Sequence, residues 1–463
     1  MPAGRIDREG GIVELATTDG AARNFLARLE RDGINHLWLV YTDYNGRSQG
    51  KSVPHGRFPS TVSRGITFAR ANLGHNVTDH APPDTAFGAE TGDFFALPDP
   101  DTYAQFPLFP GTGRVLCWMK EDDGSDWDGC PRTMLQRQID AFAAEGLTVQ
   151  AAFEPEAYLF REDAAGAVAP AMRTGMFTIA GLAANALFFH QVSDTLEGMG
   201  IRVEQVATEY GPGQIEINIQ HAHAMKAADD LVTLKEVAQA IGRQAGMIVS
   251  FMPKPFAEAA GSGLHVHLSL WSAETGRSAM ESETDRHGLS SVGRGFIGGL
   301  LRHAPALVGL GSPTVNSYKR LQPGSWAPAH AAYGVGKRAA LIRVPGSSRN
   351  RIEVRSGDNT CNPYLYLTAL LAAGLEGIRI DADPGPPATG DLGHLTEAET
   401  KESGIGLLPR NAIDALAAVE SDRLMVEALG PTILPEWLRV KRSEIAAYDL
   451  AVSDWERSAY LAN

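Results

Sequence analysis

Four short stretches of the chain place two polar residues two positions apart in apolar, β-prone surroundings. Side chains alternate between the two faces of a strand, so the members of each pair share a face. On one sheet, that face would carry four carboxylates, two imidazoles, an amide and a guanidinium. A protein core buries such a set of charged groups only if a cation or an anionic ligand satisfies it. The alternative interpretation is that the polar residues alternate by chance on strands that face solvent. The pairs are Glu154 and Glu156, Gln214 and Glu216, His265 and His267, and Glu353 and Arg355.

The composition is that of a soluble globular protein. The chain has 463 residues, of which 44% are hydrophobic and 21% charged, enough for a sizeable core. A net charge of −14 argues against nucleic acid as a main partner. The polar N-terminus (MPAGRIDREGG) lacks the apolar stretch of a signal peptide, and the most apolar segment, 365–378, is too short to span a bilayer. The sequence predicts a cytoplasmic protein with no membrane partner, whose distant cysteines Cys117, Cys130 and Cys361 are reduced thiols.

A Pro-, Asp- and Gly-rich stretch between residues 97 and 113 divides the chain. The pattern predicts a helix over 20–32 and a strand over 36–41 before it, and alternating strands and helices after it. We therefore expect an α+β protein with a small N-terminal domain, 1–111, and a large domain, 112–463, that carries all four polar pairs. Other predicted strands are 149–160, 202–208, 214–219, 263–271, 340–344 and 351–355, and other predicted helices are 132–145, 190–198, 225–244, 292–305, 361–379, 410–420 and 434–457.

Carboxylates dominate the candidate ligand set. Oxygen-rich sets suit Mg²⁺ or Mn²⁺, and a histidine shifts the preference toward Mn²⁺. Six ligands are too many for one magnesium ion, which keeps several waters, so we expect two or three ions per site. Ions held in this way typically neutralise nucleotide phosphates. The candidate ligands are Glu154, Glu156, Glu209, Glu216, His265 and Glu353.

Five arginines follow in a short stretch of the chain. Guanidinium groups match phosphates and carboxylates bidentately, although each arginine could equally be a surface residue. Metal ions facing arginines, without a Ser or Cys nucleophile beside a His, indicate phosphoryl transfer. The five are Arg320, Arg338, Arg343, Arg351 and Arg355.

Residues 45–52 (NGRSQGKS) differ at one position from a Walker A loop, because Asn45 replaces the first glycine. The segment favours a turn that leads into a strand rather than a phosphate loop. The glycines of 261–263 favour a close approach of backbone to a ligand just before the His265 strand.

Longer segments resemble the signature stretches of the glutamine synthetase superfamily, in that family's order, over most of the chain from about residue 112. VYTDYNGRSQGKSVP (40–54) is similar to the family's N-terminal β-grasp segment. The resemblance implies a small β-grasp domain and a catalytic domain with a curved antiparallel sheet, a split barrel, flanked by helices. The segments are FEPEAYLF (153–160), EYGPGQIEI (209–217), FMPKP with GSGLHVHLSLW (251–271), PTVNSYKRL (313–321), and RIEVRSGD with NPYLYLTALLAAGLEGI (351–378).

The resemblance implies a chemistry that agrees with the residues. In this family ATP phosphorylates the γ-carboxylate of glutamate, and an amine then displaces phosphate. Three carboxylates resemble the ligands of the metal nearer glutamate, and a second set resembles the ligands of the metal that orients the ATP phosphates. The first set is Glu156, Glu209 and Glu216, and the second is Glu154, His265 and Glu353.

Further positions match residues that contact the substrates in the family. The implied ATP and phosphate contacts are Glu204, His267, Ser269, Arg343 and Arg355. The implied glutamate contacts are Gly261, Arg320 and Arg355. The implied catalytic residues are Glu209, Arg320 and Arg338, of which Arg338 would contact phosphate or the phosphorylated intermediate.

Two positions depart from the ammonia-using members. An N-terminal Phe-Asp-Gly-Ser-Ser stretch supplies their ammonium-binding aspartate, but Ala69 stands there in this chain, and residues 54–78 contain no Asp or Glu. Trp326 lies in the place of the flap glutamate, and residues 319–352 contain no acidic residue. Ammonium needs anionic ligands and a base, whereas an indole offers an apolar wall or a cation–π contact.

The departures predict that the nucleophile is an organic primary amine, as in the γ-glutamyl-amine ligase branch of the superfamily. The amine pocket would include Ala69, Arg70 and Trp326. Because its segments lack an acidic rim, we expect a small monoamine such as ethanolamine or an alkylamine, with polyamines still open. An ammonia-dependent glutamine synthetase and a non-catalytic scaffold are the alternatives. Resemblance alone implies a homododecamer of two six-membered rings with active sites between subunits.

Overall fold

The computed structural model describes residues 5–6, 12–13, 19–173, 175–346, 349–393, 399–400 and 405–461. Within these ranges the strands form a two-stranded, a six-stranded and a ten-stranded sheet. The α+β fold class predicted from the sequence is confirmed, with a curled half-barrel as the larger sheet and helices flanking it.

The six-stranded sheet is built from the first quarter of the chain. Its order is β4-β3-β8-β6-β5, with β7 paired to β8, and β3 and β8 are parallel. Tyr41, Phe68 and Phe94 pack with ring centroids 4.8–5.7 Å apart in its core. The elements are β1 (Arg5–Ile6), β2 (Ile12–Val13), α1 (Asp19–Arg31), β3 (His36–Thr42), β4 (Ser48–Pro54), α2 (Phe58–Arg64), β5 (Ile66–Ala69), β6 (Asp93–Pro98), β7 (Ala104–Gln105) and β8 (Thr112–Lys120).

The ten-stranded sheet is organised around the 16-residue strand β9. Its order is β11-β12-β9-β15-β18-β17-β16, and β10, β13 and β14 also pair with β9. All contacts of β9 with these neighbours are antiparallel. The strands are β9 (Leu147–Glu162), β10 (Val168–Pro170), β11 (Val203–Thr208), β12 (Gln214–Ile219), β13 (Ala222–His223), β14 (Ile248–Ser250), β15 (Leu264–Ser272), β16 (Tyr333–Val335), β17 (Ile342–Val344) and β18 (Ile352–Val354).

The helices of the larger part pack around the buried helix α9. Gly299 and Gly377 let α6 approach α9 closely, since a Cβ on either residue would lie within 2.2 Å of a backbone oxygen of the other helix. No described helix is long and apolar enough to cross a membrane. The helices are α3 (Pro131–Ala144), α4 (Ile179–Gly198), α5 (Ala224–Gln244), α6 (Ser291–Arg302), α7 (Ala304–Gly311), α8 (Ser317–Arg320), α9 (Pro363–Arg379), α10 (Ala412–Ser421), α11 (Arg423–Asp449) and α12 (Asp454–Tyr460).

Two helix boundaries predicted from the sequence are wrong. α4 begins at Ile179, eleven residues before the predicted start at 190, because its apolar residues lack the helical periodicity that marks a half-exposed helix. The Thr178 side chain caps it by accepting from the Gly181 N–H at 3.1 Å. The predicted helix 434–457 is instead α11, which begins at Arg423 and kinks at Gly430 (φ 73°), followed by a separate α12.

The division into residues 1–111 and 112–463 stays a prediction. Strand β8 (Thr112–Lys120) pairs with β3 and β6 of the six-stranded sheet, so a division by sheet membership falls after Lys120.

A buried histidine joins four helices. The His303 ring lies between α6 and α7, with Nε2 2.7 Å from Glu376 of α9 and Nδ1 2.7 Å from Asp422, the N-cap of α11. Burial by itself would lower the pKa of His303, but the two carboxylates outweigh it and raise that pKa above its usual value. The charged imidazolium therefore stabilises the packing of these helices.

We predict a pH-dependent loss of stability for His303→Gln. Because the folded-state pKa is raised, the stabilisation is fully present below the unfolded pKa of about 6.5 and is lost as the pH rises through the folded pKa. Urea unfolding at pH 6 should give a loss of about 1–3 kcal/mol, which becomes smaller at pH 9. The exposed His190→Gln is the control, and an equal loss for His303→Gln at both pH values would contradict the prediction.

Candidate active site

The four polar pairs lie on four neighbouring strands, β12, β9, β15 and β18. Glu156 pairs with Glu216, His265 with Glu154, and His267 with Glu353 across the sheet. The alternate residues, Phe153, Ile215, Val266 and Val354, are buried in the apolar core. The predicted common face is confirmed: antiparallel register brings the polar residues together, because their intervening neighbours must be buried.

Glu154, His265 and Glu353 form one candidate metal-binding group. One ligand atom from each lies within 4.8 Å of the others. Nδ1 of His265 is 3.5 Å from a Glu154 oxygen and 3.6 Å from a Glu353 oxygen. The sequence predicted this set as ligands of a single ion.

Glu156, Glu216 and His265 form a second group with the same spacing. The Gln214 amide and the Gly263 N–H each donate to a Glu156 oxygen at 2.9 Å. The Asn218 amide donates to Glu216 at 2.8 Å. These donors fix the carboxylates in place, as outer-shell partners of metal ligands do.

Glu209 lies outside both groups, although it was predicted to join Glu156 and Glu216. Burial and the charge of Glu156 raise the pKa of Glu209 to about 7. Burial and the charges of Glu154 and Glu156 raise the pKa of Glu216 to about 8. The carboxylates repel one another without a cation, so the residues present fit one or more divalent ions. Bound there, such an ion would neutralise the charge of phosphate and carboxylate groups.

Arginines cover the other side of Glu353, which is fully buried. Arg343 donates to it at 2.7 Å, and Arg355 forms a second, shorter ion pair with it. Burial would raise the pKa of Glu353, but the charges of His265, Arg355 and His267 lower it to about 2. Arg355 also donates to the Arg338 carbonyl at 2.7 Å, so this part of the site is cationic and rigid.

A cavity of about 220 Å³ lies next to Glu154 and includes the predicted nucleotide contacts Glu204, His267 and Ser269. The structure thus brings Glu204 into the same cavity as His267 and Ser269, which are distant from it in sequence. Nε2 of His267 lies 3.0 Å from Glu154, and Trp271 donates to Ser269 at 2.9 Å. The cavity is also lined by Asn218, His221, Asn350 and Arg351.

Arg320 is buried against the Gly261–Gly263 segment. Its guanidinium donates to the carbonyls of Arg355, Ser356 and Gly357 at 3.1 Å. A Cβ on Gly261 would lie 2.7 Å from the Arg320 side chain, so the close approach requires glycine. Arg320 therefore holds the turn after β18, and its predicted contact with glutamate stays a prediction.

Comparison with known proteins agrees with this geometry. The family described as glutamine synthetase, catalytic domain, matches residues 128–460. The chain belongs to the glutamine synthetase family.

Two relatives with different names are about equally similar in sequence to this chain. It is 36% identical to a glutamine synthetase of Halobacterium salinarum, over 98% of this chain and 99% of that protein. It is 35% identical to a glutamate–methylamine ligase of Methyloversatilis universalis, over 94% and 97%. The structure titled GmaS/ADP complex has a TM-score of 0.85 at 29% identity and covers 95% of this chain and 99% of that one. The protein is a glutamine-synthetase-type ligase.

An exposed aromatic pair includes the residue that follows Glu209 in the chain. Trp326 is 60% exposed, and its ring centroid lies 5.5 Å from that of the half-exposed Tyr210. The Trp326 backbone has φ 60°, a conformation rare for a bulky residue. The two loops therefore present a pair of large rings at the surface.

Ala69 and Arg70 lie in the six-stranded sheet, away from Trp326. Arg70 pairs with Glu121, donates to the Asp93 carbonyl at 3.1 Å, and lies 4.6 Å from the Trp127 ring. Within the described residues, neither side chain forms a hydrogen bond or ion pair with the candidate metal ligands, and their place in the amine pocket stays a prediction.

Sequence reasoning missed Asn218, His221 and Tyr210. Asn218 lies two residues after Glu216 on the same strand, so extending the period-two pattern would have found it. His221 and Tyr210 lie outside the strands, where no periodicity indicates which residues face the site.

We predict that Glu216→Gln weakens Mn²⁺ binding more than tenfold, and that Asn218→Ala weakens it about tenfold by releasing the Glu216 carboxylate. Electron paramagnetic resonance titration of Mn²⁺ measures both. Glu162→Gln, which changes an exposed carboxylate on the neighbouring strand β9, is the matched control. Unchanged affinity in Glu216→Gln would exclude this residue as a ligand.

Proposed function

We propose that the protein is an ATP-dependent ligase that joins the γ-carboxylate of glutamate to an organic primary amine. ATP transfers its γ-phosphoryl group to that carboxylate and leaves as ADP. The amine nitrogen then attacks the γ-carbonyl carbon, inorganic phosphate leaves, and the nitrogen gives up a proton. A small monoamine, ethanolamine or an alkylamine such as methylamine, is the preferred nucleophile.

The observation that carries this proposal is the contact between Trp326 and Tyr210, the residue that follows Glu209 in the chain. An ammonium site needs carboxylates, and neither residues 54–78 nor residues 319–352 contain one. Two aromatic rings 5.5 Å apart offer apolar surface to an alkyl group and a π face to its ammonium form. A polyamine keeps a second charge that would need an acidic partner, so it fits less well.

The comparisons support amine ligation at a coarse level. One relative of 35% identity is a glutamate–methylamine ligase, and the GmaS structure has a TM-score of 0.85. A relative of 36% identity is a glutamine synthetase, so overall similarity does not separate the two activities. The residues at positions 69, 210 and 326 favour the organic amine.

Each part of the site has a proposed role. The two carboxylate groups around His265 hold two or three Mg²⁺ or Mn²⁺ ions, and the cavity with Glu204, His267 and Ser269 binds ATP. Arg338, Arg343 and Arg355 contact the transferred phosphoryl group. Gly261, Arg320 and Arg355 bind glutamate, and Glu209 accepts the amine proton because it is the carboxylate adjacent to Tyr210.

We also propose that Ala69 and Arg70 reach the Trp326 pocket of a neighbouring subunit, in a homododecamer of two six-membered rings. Arg70 instead pairs with Glu121 of its own six-stranded sheet segment, and among the described residues of one chain neither Ala69 nor Arg70 hydrogen-bonds to Trp326, which supports this. Analytical ultracentrifugation should give twelve times the 49.5 kDa chain mass. A monomer with full activity would overturn the shared site.

The decisive experiment measures phosphate release from ATP with glutamate and Mg²⁺ across ammonium, methylamine, ethanolamine and putrescine, and identifies products by mass spectrometry. We expect a γ-glutamyl amide with a monoamine at a kcat/KM at least about a hundredfold above that for ammonium. Turnover with ammonium alone would make the protein an ordinary glutamine synthetase. No turnover with any amine, despite ATP binding, would indicate a scaffold.

We predict that Ala69→Asp combined with Trp326→Glu reverses the amine preference. The two carboxylates should bind ammonium, while removal of the indole should lower kcat/KM for the organic amine by about tenfold or more. Trp326→Phe, which keeps an aromatic ring, is the control. An unchanged ratio of ammonium to amine turnover in the double variant would disprove the pocket assignment.

A further inference from the structure

A cavity of about 1,060 Å³ lies between β4 of the six-stranded sheet and α5 behind the ten-stranded sheet. None of the residues assigned above to metal, ATP, glutamate or amine lines it. The Walker-like segment 45–52 does line it, although Lys51 donates to the Thr67 carbonyl at 2.7 Å and does not serve a phosphate loop. A cavity of this size exceeds the need of a few waters and matches a small-molecule site.

The charges on the cavity wall are unequal, with four cationic side chains and one carboxylate. Arg114 binds that carboxylate, Glu236, bidentately at 2.6 and 3.0 Å. Arg47 pairs with Asp43 at 2.9 Å. The Glu236 carboxylate is therefore already satisfied, and Lys51 is held by the Thr67 carbonyl. Among the described residues, the two remaining cations of the wall have no carboxylate partner.

Those cations are Lys235 and Arg243, eight residues apart on α5 and hence on one helix face. In the part of the chain that the structure describes, neither forms an ion pair with a carboxylate. Lys235 donates to the Asn359 carbonyl at 2.7 Å, and burial lowers its pKa. An anion in the cavity would complete the coordination of both side chains.

Four aromatic side chains also line the cavity. Trp38, Phe106 and Phe109 form a mutually packed cluster with centroids 5.1–5.5 Å apart. Phe251 lies across from them, with Lys235 Nζ 5.5 Å from its ring. A ligand that fits both features combines an anionic group with an apolar or aromatic body.

Two hydrogen bonds connect the cavity to the candidate metal site. Lys235 binds the backbone of Asn359, whose side-chain amide donates to the carbonyls of Glu156 and Gly263 at 3.0 Å. Asn359 is 2% exposed, and its side-chain oxygen has no hydrogen-bond partner. A continuous chain of hydrogen bonds therefore runs from Lys235 to the strand that carries Glu156.

We propose that this cavity binds a small anion with an apolar or aromatic body, and that its occupancy is coupled through Lys235 and Asn359 to the Glu156 strand. The cavity would then be an effector site, separate from the residues that carry out the reaction. It depends on the metal-binding role of Glu156 but not on which amine is used, so it stands if the amine assignment fails.

The binding test compares two fluorescent probes of similar shape, anionic anilinonaphthalene sulfonate and neutral phenylnaphthylamine, on the full chain with saturating ADP and Mg²⁺. We expect one sulfonate probe per chain, about tenfold weaker binding in Arg243→Met, and an unchanged affinity for the neutral probe. Arg277→Met, an exposed arginine outside the cavity, is the matched control. Displacement of the probe by ADP, or no effect of Arg243→Met, would overturn the site.

The coupling test measures Mn²⁺ affinity with and without the bound sulfonate probe. We expect a change of about threefold or more, and by thermodynamic reciprocity the same factor in probe affinity when Mn²⁺ is added. Lys235→Met should remove this coupling, while Arg243→Met should keep it at probe concentrations that compensate for weaker binding. Equal Mn²⁺ affinities in the presence and absence of the probe would overturn the coupling.

Discussion

The register of β9 against its neighbours sets Glu156 opposite Glu216 and Glu154 opposite His265. Like charges directly across a sheet are destabilising, and burial in a low-dielectric interior increases the cost. The sheet nevertheless adopts this register because a slip by one residue would turn Phe153, Ile215 and Val266 out of the core. Burial of the apolar face thus fixes a register that places the carboxylates close together. The proposed metal binding follows from this proximity.

Hydrogen bonds from neighbouring amides hold the closely spaced carboxylates in place. Gln214 and Asn218 each donate to one carboxylate, and Asn359 ties the Glu156 backbone to the Gly263 segment. Glu353 is oriented by two arginines, so the cationic and anionic halves of the site meet at this residue. A cation bound between the two halves would replace the repulsion among the carboxylates with coordination. The backbone would not have to rearrange, so the site is pre-organised.

The metal-site carboxylates and the Trp326–Tyr210 pair lie in different kinds of local structure. The carboxylates lie on paired strands with buried neighbours, whereas Trp326 and Tyr210 lie on loops where the backbone tolerates φ 60° and large exposed rings. Loops can change without a cost to the core, so the choice of nucleophile is expected to vary there. Relatives of nearly equal identity do carry different names, one a glutamine synthetase and one a glutamate–methylamine ligase.

The sequence by itself determined the α+β class and the polar face of four strands, because period-two alternation of glutamate and histidine with buried apolar residues allows one arrangement. It also supplied the segments by which the family was recognised. Only the tertiary structure decided that β8 belongs to the six-stranded sheet and that Arg320 binds backbone carbonyls. The Tyr210–Trp326 contact and the cavity at Lys235 likewise join residues that are distant in sequence. Such contacts depend on loop paths and helix packing, which leave no period in the sequence.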